Sequence, residues 1–354
     1  MQDYSVAPGV EDAVAKFVLP ENLGFGQVAA PLMFSAEWSE GQWGKGLLEP
    51  YAPIQIEPGA RALHYAEVVF EGMKAYAVNG SPPNLFRPRE NWLRLSRSAN
   101  RLSMPMVPEG LFFQALDAIV GRCRAAIPPQ SGRALYLRPF IYGTEPGYQL
   151  RNSTSFRFMV IANPVEAYAS APMRVAIERC DIRAAVGGVG AAKAAANYAP
   201  SFRAATAAAA RGLSVALWLD AREQRYIQEL SGMNVFAVID GELHTPELDG
   251  AILPGVTRDS LLALGPHLGY RMHERRMAID ELLAQIESGS CSELFACGTG
   301  AIVCPIAELA ERDQRSFKPR EAGKIAAHLR DALLAIQEGR ASDPFGWTRP
   351  VPNL

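Results

Sequence analysis

Lys193 is the residue around which chemistry can be assembled. It follows a run of small residues, Val186-Gly-Gly-Val-Gly-Ala-Ala-Lys193, and precedes Ala-Ala-Ala-Asn197-Tyr198. Two familiar loops do not fit these letters. A Walker phosphate loop needs Gly before the lysine and Ser or Thr after it, where Ala192 and Ala194 stand. A dinucleotide fingerprint counted from Gly188 and Gly190 needs Gly or Ala where Lys193 sits. What survives is an amine in alanine-lined surroundings. Desolvation there disfavours the ammonium form and leaves a nucleophile able to attack an aldehyde, as a Schiff-base lysine must. A lysine on a solvated helix face fits the same letters and does no chemistry, so the segment alone leaves both readings open.

Glu229, in Tyr226-Ile-Gln-Glu-Leu-Ser-Gly-Met-Asn234, is an acid inside an otherwise apolar strand pair. At a strand edge it simply meets water; buried, it needs a cation, because buried acids are rarely unpaired. One such cation is the protonated ring nitrogen of pyridoxal phosphate, which a carboxylate keeps charged so that the ring draws electrons. Two segments offer anion-binding amides: Leu253-Pro-Gly-Val256-Thr257, where the chain turns into a helix, and Ala296-Cys-Gly298-Thr299-Gly300-Ala301. Ordinary caps and turns account for the same patterns. Arg94, Arg97 and Arg101 form a basic stripe that reads as a solvated helix face.

The remainder of the chain bounds what these residues can do. With 35 Lys+Arg against 37 Asp+Glu in 354 residues, there is no basic excess for a nucleic-acid backbone. Cysteines 123, 180, 291, 297 and 304 make neither a disulfide framework nor a CxxC site, and histidines 64, 244, 267, 273 and 328 lack metal-site spacing, so no metal is expected. The first ten residues do not read as a signal peptide and no apolar run is long enough for a membrane span, which gives a cytoplasmic expectation.

The positioning elements are strands and helices in both halves. The first 60 residues read as a loop-rich lead-in with short strands, followed by a strand-like stretch from Leu63 to Tyr76 broken at Gly72. A helix over 89–102 and strands over 134–140 and 155–162 come next. A Pro- and Ala-rich shift at 163–173 marks a boundary. Beyond it lie an alanine-rich helix over 200–211, strands over 214–220, 226–230 and 234–239, a turn at Asp240-Gly241, a helix capped by Thr257 or its neighbour and running through Leu264, and another around Ile325 to Ile336. The expected division is a smaller domain over 1–168, a linker over 169–176 and a larger domain over 177–354.

These signals occur in an order that resembles the branched-chain amino acid aminotransferases, pyridoxal-phosphate enzymes of fold type IV. The match spans about residues 20 to 350. It rests on Leu63-His-Tyr65, Phe70-Glu-Gly-Met-Lys-Ala-Tyr76, Phe86-Arg-Pro, Asn91-Trp-Leu-Arg94, Leu135-Tyr136-Leu-Arg138-Pro, Gly188-Val-Gly-Ala-Ala-Lys193, Glu229 to Asn234, Leu253-Pro-Gly, Gly298-Thr299 and Gly346-Trp347. The implied fold is α+β and D-amino acid aminotransferase-like, with an α/β N-terminal domain and a larger cofactor domain with a mixed, barrel-like sheet. The implied reaction is transamination of L-leucine, L-isoleucine and L-valine with 2-oxoglutarate.

The resemblance implies that Lys193 is the catalytic lysine, bound to pyridoxal 5'-phosphate and moving the α-proton. Glu229 would pair with the ring nitrogen and Tyr198 with the ring's phenolic oxygen. Arg94, the amides of Val256 and Thr257, and Thr299 would hold the phosphate. Phe25, Tyr65, Phe70, Tyr136, Tyr168 and Gly232 would surround the substrate side chain, and Tyr136, Arg138, Thr299 and Gly300 would serve its carboxylate. The family's dimer would bring the loop carrying Leu150 to the partner's site. Ala301 stands where some relatives have the first cysteine of a redox CxxC and only Cys304 remains, so no thiol switch is expected. Gly300 and Gly232 replace Ala and Thr of some relatives. The rivals are a D-amino acid aminotransferase or aminodeoxychorismate lyase of the same fold, a nicotinamide-dependent oxidoreductase, and a non-catalytic binding protein.

Overall fold

The computed structural model describes residues 4–167, 171–321 and 323–352. The chain forms two compact units, one of Met1–Ala167, Ala192–Ala196 and Ala335–Leu354, the other of Tyr168–Ala191 and Asn197–Leu334.

The first unit contains strands β1 (Tyr4–Val6), β2 (Leu32–Ser39), β3 (Gln42–Trp43), β4 (Gly46–Pro50), β5 (Val68–Phe70), β6 (Met73–Tyr76), β7 (Asn84–Phe86), β8 (Ala134–Gly143) and β9 (Phe156–Val165). With Thr348–Pro350 they form a ten-stranded sheet in the order β1-β4-β2-β9-β8-β6-β7 and then Thr348–Pro350, with β3 paired to β2 and β5 to β8. Alternation works as it should in β8: Leu135 and Leu137 are fully buried, while Tyr136 and Arg138 share the opposite face, where Arg138 Nη2 donates to the Tyr136 hydroxyl at 3.1 Å.

Helices α1 (Val10–Lys16), α2 (Arg61–Tyr65), α3 (Pro88–Arg101) and α4 (Glu109–Arg122) accompany this sheet. Pro88 begins α3, where its missing N–H costs nothing, and Leu95 and Ala99 face the core. The basic stripe on α3 is not uniformly solvated. Arg97 and Arg101 are exposed, but Arg94 is buried, because a buried carboxylate is there to receive it. The loop-rich start with short strands also needs correcting in part: residues 10–16 are helical, and β2 is a longer strand of eight residues. Likewise, the beginning of the stretch read as strand from Leu63 is the end of α2, and the break falls at Glu71-Gly72 between β5 and β6.

The second unit contains β10 (Met173–Glu178), β11 (Val215–Leu219), β12 (Ile227–Leu230), β13 (Asn234–Ile239), β14 (Glu242–Pro246), β15 (Met272–Arg275), β16 (Cys291–Gly298), β17 (Ile302–Ala310) and β18 (Ser316–Phe317). Their order is β12-β11-β10-β17-β16-β13-β14-β15, with β18 on β17, in a mixed sheet whose β10–β11, β10–β17 and β14–β15 pairs are parallel. Asp240 and Gly241 both adopt positive φ in the β13–β14 turn, the backbone that an Asp-Gly hairpin supplies at least cost. Helices α5 (Phe202–Ala209), α6 (Val256–His267), α7 (Ile279–Ser288) and α8 (Lys324–Gln337) complete the set. Strands and helices in each unit make the chain α+β.

The division is not a single cut. Residues 173–176 of the expected linker lie in β10, which runs on to Glu178, and residues 192–196 and 335–354 belong with the first unit although both lie beyond 177. Tyr168, expected near the boundary, lies outside the described residues.

One polar contact in the second unit has a measurable stability consequence. Glu293, 1% exposed, accepts hydrogen bonds from the Ile325 and Ala326 amides and so caps the start of α8. Glu293→Ala leaves those donors buried without a partner and should cost about 1–3 kcal/mol. Urea unfolding followed by circular dichroism checks this; an unchanged midpoint refutes it.

Candidate active site

Lys193 is held by its backbone in the first unit. The Phe70 amide donates to Lys193 O at 3.0 Å, the Lys193 amide donates to Ser98 Oγ at 2.9 Å, and Val69 and Ala194 form an antiparallel bridge. Residues 193 and 194 thus lie beside β5 like a fragment of an added strand, before the chain turns into a short helical turn at Ala195–Asn197. The half-buried side chain places Nζ 4.8 Å from the centroid of the Phe70 ring, and Arg138 lies over the same ring at 4.6 Å. Tyr136 carries the Arg138 contact described above and meets Phe25 edge to face at 5.0 Å.

Between β5 and β6, Glu71 is fully buried and takes Arg94 in a bidentate grip, Nε to Oε1 at 2.6 Å and Nη2 to Oε2 at 2.9 Å. Asn91 Nδ2 donates to Oε2 at 2.7 Å and the Gly72 amide at 3.1 Å. Burial pushes the Glu71 carboxyl up, but the charge and hydrogen bonds of Arg94, then Lys193 and Asn91, outweigh it and hold the group below its ordinary range. Gly72 is required by the same arrangement, since a Cβ there would lie 2.0 Å from the Tyr136 hydroxyl oxygen.

Tyr65 and Leu150 lie on the surface of this unit, 42% and 92% exposed, and the Tyr65 hydroxyl donates to Tyr148 O at 2.7 Å. Glu145 fastens the Leu150 loop through the buried Arg61 at 3.0 Å, through Arg151 and through the Thr154 amide at 2.7 Å. The Arg151 hydrogen bond is the main reason its carboxyl is held down at about 2.

In the second unit, Glu229 sits on β12, 4% exposed. A cation that the sequence reading did not name, Arg183, places Nη2 2.8 Å from Oε1, and Asn234 Nδ2 donates to Oε2 at 3.1 Å. Tyr198, half-buried, begins a short helical turn in which Ser201 Oγ donates to its carbonyl at 2.6 Å. Helix α6 starts at Val256, so the cap expected at Thr257 or its neighbour lies earlier, at Gly255. Gly255 has no side chain to offer the first amides, and Thr257 in the first turn is 5% exposed.

Thr299 and Gly300 lie in the turn between β16 and β17, closed by the pairing of Gly298 with Ile302. Ile302 has φ of 62°, a strained conformation for a β-branched residue. Gly232, with φ of 84°, links β12 to β13. Of the expected residues, the first unit gathers Phe25, Phe70, Tyr136, Arg138, Arg94 and Lys193, and the second holds Tyr198, Glu229, Gly232, Val256, Thr257, Thr299 and Gly300.

The letters alone assigned no role to Glu71, Asn91, Ser98, Arg183 or Asn234. Glu71 carried a usable signal, an acid in the apolar run Val68-Val-Phe-Glu-Gly-Met; Arg183 carried none, because only the fold brings it to Glu229. Sequence spacing also hid a Glu242, His244 and His273 cluster, whose ligand atoms lie within 4.8 Å of one another on adjacent strands. Its groups have protein partners: His273 and Arg271 on Glu242, and Arg275 on His244 Nδ1. Burial, then the Arg275 and His273 charges, lowers the His244 titration.

Residues 68–309 match the model of the family described as amino-transferase class IV. A probable branched-chain-amino-acid aminotransferase of Streptomyces coelicolor is 40% identical over 332 residues, 92% of each chain. The branched-chain-amino-acid aminotransferase 2 of Bacillus subtilis is 39% identical over 95% of this chain and 94% of its own. Among solved structures, a T.th. branched-chain amino acid aminotransferase complexed with N-(5'-phosphopyridoxyl)-L-glutamate matches with a TM-score of 0.74 at 31% identity, covering 92% of this chain and 100% of that one. The Thermoproteus uzoniensis branched-chain aminotransferase with norvaline matches with a TM-score of 0.73 at 28% identity, covering 90% and 99%.

Proposed function

The chain belongs to the class IV aminotransferases, and from that membership we propose that it transfers the amino group of L-leucine, L-isoleucine and L-valine to 2-oxoglutarate with pyridoxal 5'-phosphate as cofactor. The observation that carries this reading is the run of branched-chain aminotransferases at about 40% identity over nine-tenths of the chain. The residues fit the cofactor chemically. They include an amine fixed by its own backbone, a buried carboxylate suited to a ring nitrogen, an uncapped helix start and a buried threonine suited to a phosphate.

When bound, the cofactor supplies a conjugated ring that accepts the electron pair left on the substrate's α-carbon. Lys193 would hold it through Nζ, and the same amine would be the group that accepts and hands on the proton of the substrate's α-carbon. Glu229 would keep the ring nitrogen protonated, and the Tyr198 hydroxyl would donate to the ring oxygen. Arg94, the Val256 and Thr257 amides and Thr299 bind phosphate.

Tyr136, Arg138, Thr299 and Gly300 orient the substrate carboxylate. Phe25, Tyr65, Phe70, Tyr136 and Gly232 serve its side chain. An apolar enclosure separates substrates differing by one methylene by only about 1–3 kcal/mol, so leucine, isoleucine and valine should all react. The protein acts in the cytoplasm as a homodimer, in which Leu150 serves the partner's site. Exposed Leu63, Tyr65, Tyr148 and Leu150 support that assembly, since exposed apolar groups gathered on one unit favour a partner surface.

The test is the visible absorbance of the purified protein reconstituted with pyridoxal phosphate. L-leucine should bleach the band and D-leucine should leave it; bleaching by the D-isomer alone selects the D-amino acid reading, and the absence of a band removes the cofactor. A second expectation concerns the packing of Gly72. Gly72→Ala must push Tyr136, and with it Arg138, aside. A displacement of that size should lower kcat/KM about 100-fold while the visible band persists.

A further inference from the structure

The Glu229 carboxylate is surrounded by more structure than an ionised acid beside a ring nitrogen strictly needs. Arg183, with its side chain 7% exposed, reaches Oε1 at 2.8 Å and also donates from Nη2 to Ala251 O at 2.6 Å. Asn234 Nδ2 donates both to Glu229 Oε2 at 3.1 Å and to Leu253 O at 3.0 Å. The backbone packs tightly around both partners. A Cβ on Gly190 would lie 2.3 Å from Ala251 O, the atom that fixes Arg183, and a Cβ on Gly255 would lie 2.1 Å from Asn234 Oδ1. Two glycines therefore leave room for the groups that hold the carboxylate.

We propose that Arg183 is a positioning residue that keeps Glu229 a carboxylate, so that the proton shared with the cofactor's ring nitrogen stays on nitrogen; this rests on the reading of Glu229 given above. A buried acid facing a pyridine nitrogen offers one proton two homes. Out of water the neutral pair, acid and uncharged ring, gains on the charged pair, because burial penalises both charges. A third charge decides between them. A guanidinium in direct contact with the carboxylate favours the anion, acts more weakly on the more distant ring, and does not itself lose a proton. Remove that charge and the proton moves from ring nitrogen to Glu229 oxygen. The ring then draws electrons less strongly, and proton removal from the substrate slows.

Arg183→Gln keeps hydrogen-bond donors and loses the charge; Arg183→Lys keeps a charge that can be titrated. Each is reconstituted with pyridoxal phosphate labelled with 15N in the ring, and the nitrogen chemical shift reports the proton directly. Wild type should show a protonated nitrogen at all pH values where it stays folded. Arg183→Gln should show an unprotonated one, with kcat down about 10- to 100-fold, the loss typical of removing an outer partner of a functional ligand, and KM little changed.

In Arg183→Lys the nitrogen should be protonated at neutral pH and lose its proton as the lysine is neutralised toward about pH 10. This second variant keeps the question answerable if Arg183→Gln does not fold. A protonated nitrogen in Arg183→Gln, or a pH-independent shift in Arg183→Lys, overturns the proposal, since a purely structural Arg183 would lower thermal stability and cofactor affinity without moving the shift. Glu229→Gln separates the two levels. If its ring nitrogen stays protonated, the reading of Glu229 itself fails; if it loses the proton while Arg183→Gln keeps it, only the role of Arg183 falls.

Discussion

Lys193→Ala is expected to lose at least about 10³-fold in kcat for leucine transamination, because in the proposed roles one substitution removes both the nucleophilic anchor and the base for the α-proton. The protein should remain folded. Lys193 is held by its own amide on Ser98 Oγ and its own carbonyl under the Phe70 amide, and neither bond involves the side chain. Lys193→Arg is the sharper control. It keeps the cation over the Phe70 ring, where Lys193 Nζ lies at 4.8 Å, but a guanidinium neither attacks an aldehyde at neutral pH nor accepts a proton. Both variants should therefore be inactive while near-ultraviolet circular dichroism and thermal midpoints stay close to wild type. Turnover by Lys193→Arg within tenfold of wild type would show that the residue supplies charge and not chemistry.

Much of this was legible because it is local. Alternation in Ala134–Gly143 separates Leu135 and Leu137 from Tyr136 and Arg138, and the Asp240-Gly241 pair specifies a turn that few other residues adopt so cheaply. Elements whose two faces are both buried offered no period to read. Cys291–Gly298 is buried at nearly every position, and an apolar run without alternation does not declare itself a strand. The same limit applies to the site. Lys193 and Glu229 stand out as polar residues in apolar surroundings, whereas Arg183 and Ser98 gain their meaning from contacts across long stretches of chain. The return of residues 192–196 to the first unit is a property of the fold, and no composition shift marks it.

Glu71 is where the largest effect on stability is expected. Its carboxylate is fully buried against an Arg94 side chain only 5% exposed, so Glu71→Gln takes the carboxylate charge away from a buried guanidinium. Removing one member of such a pair typically costs about 3–5 kcal/mol. The pH dependence has a definite sign. The folded carboxyl is held below its ordinary value of 4.5: burial opposes this most strongly, and Arg94, Lys193 and Asn91 together overcome it. Its stabilisation is therefore complete above that value and fades as pH falls through the lower folded value, so wild type and Glu71→Gln should converge in acid.

Denaturant unfolding of the cofactor-stripped protein at several pH values measures this, and a gap that stays constant into acid would count against it. The double variant Glu71→Leu with Arg94→Met distinguishes a stabilising pair from a functional one. An apolar replacement for both partners commonly restores stability that breaking the pair removes. If the pair is retained to hold Arg94 ready for a phosphate, the double variant should unfold nearer to wild type than Glu71→Gln does, yet bind pyridoxal phosphate much more weakly while its affinity for pyridoxal, which has no phosphate, hardly changes.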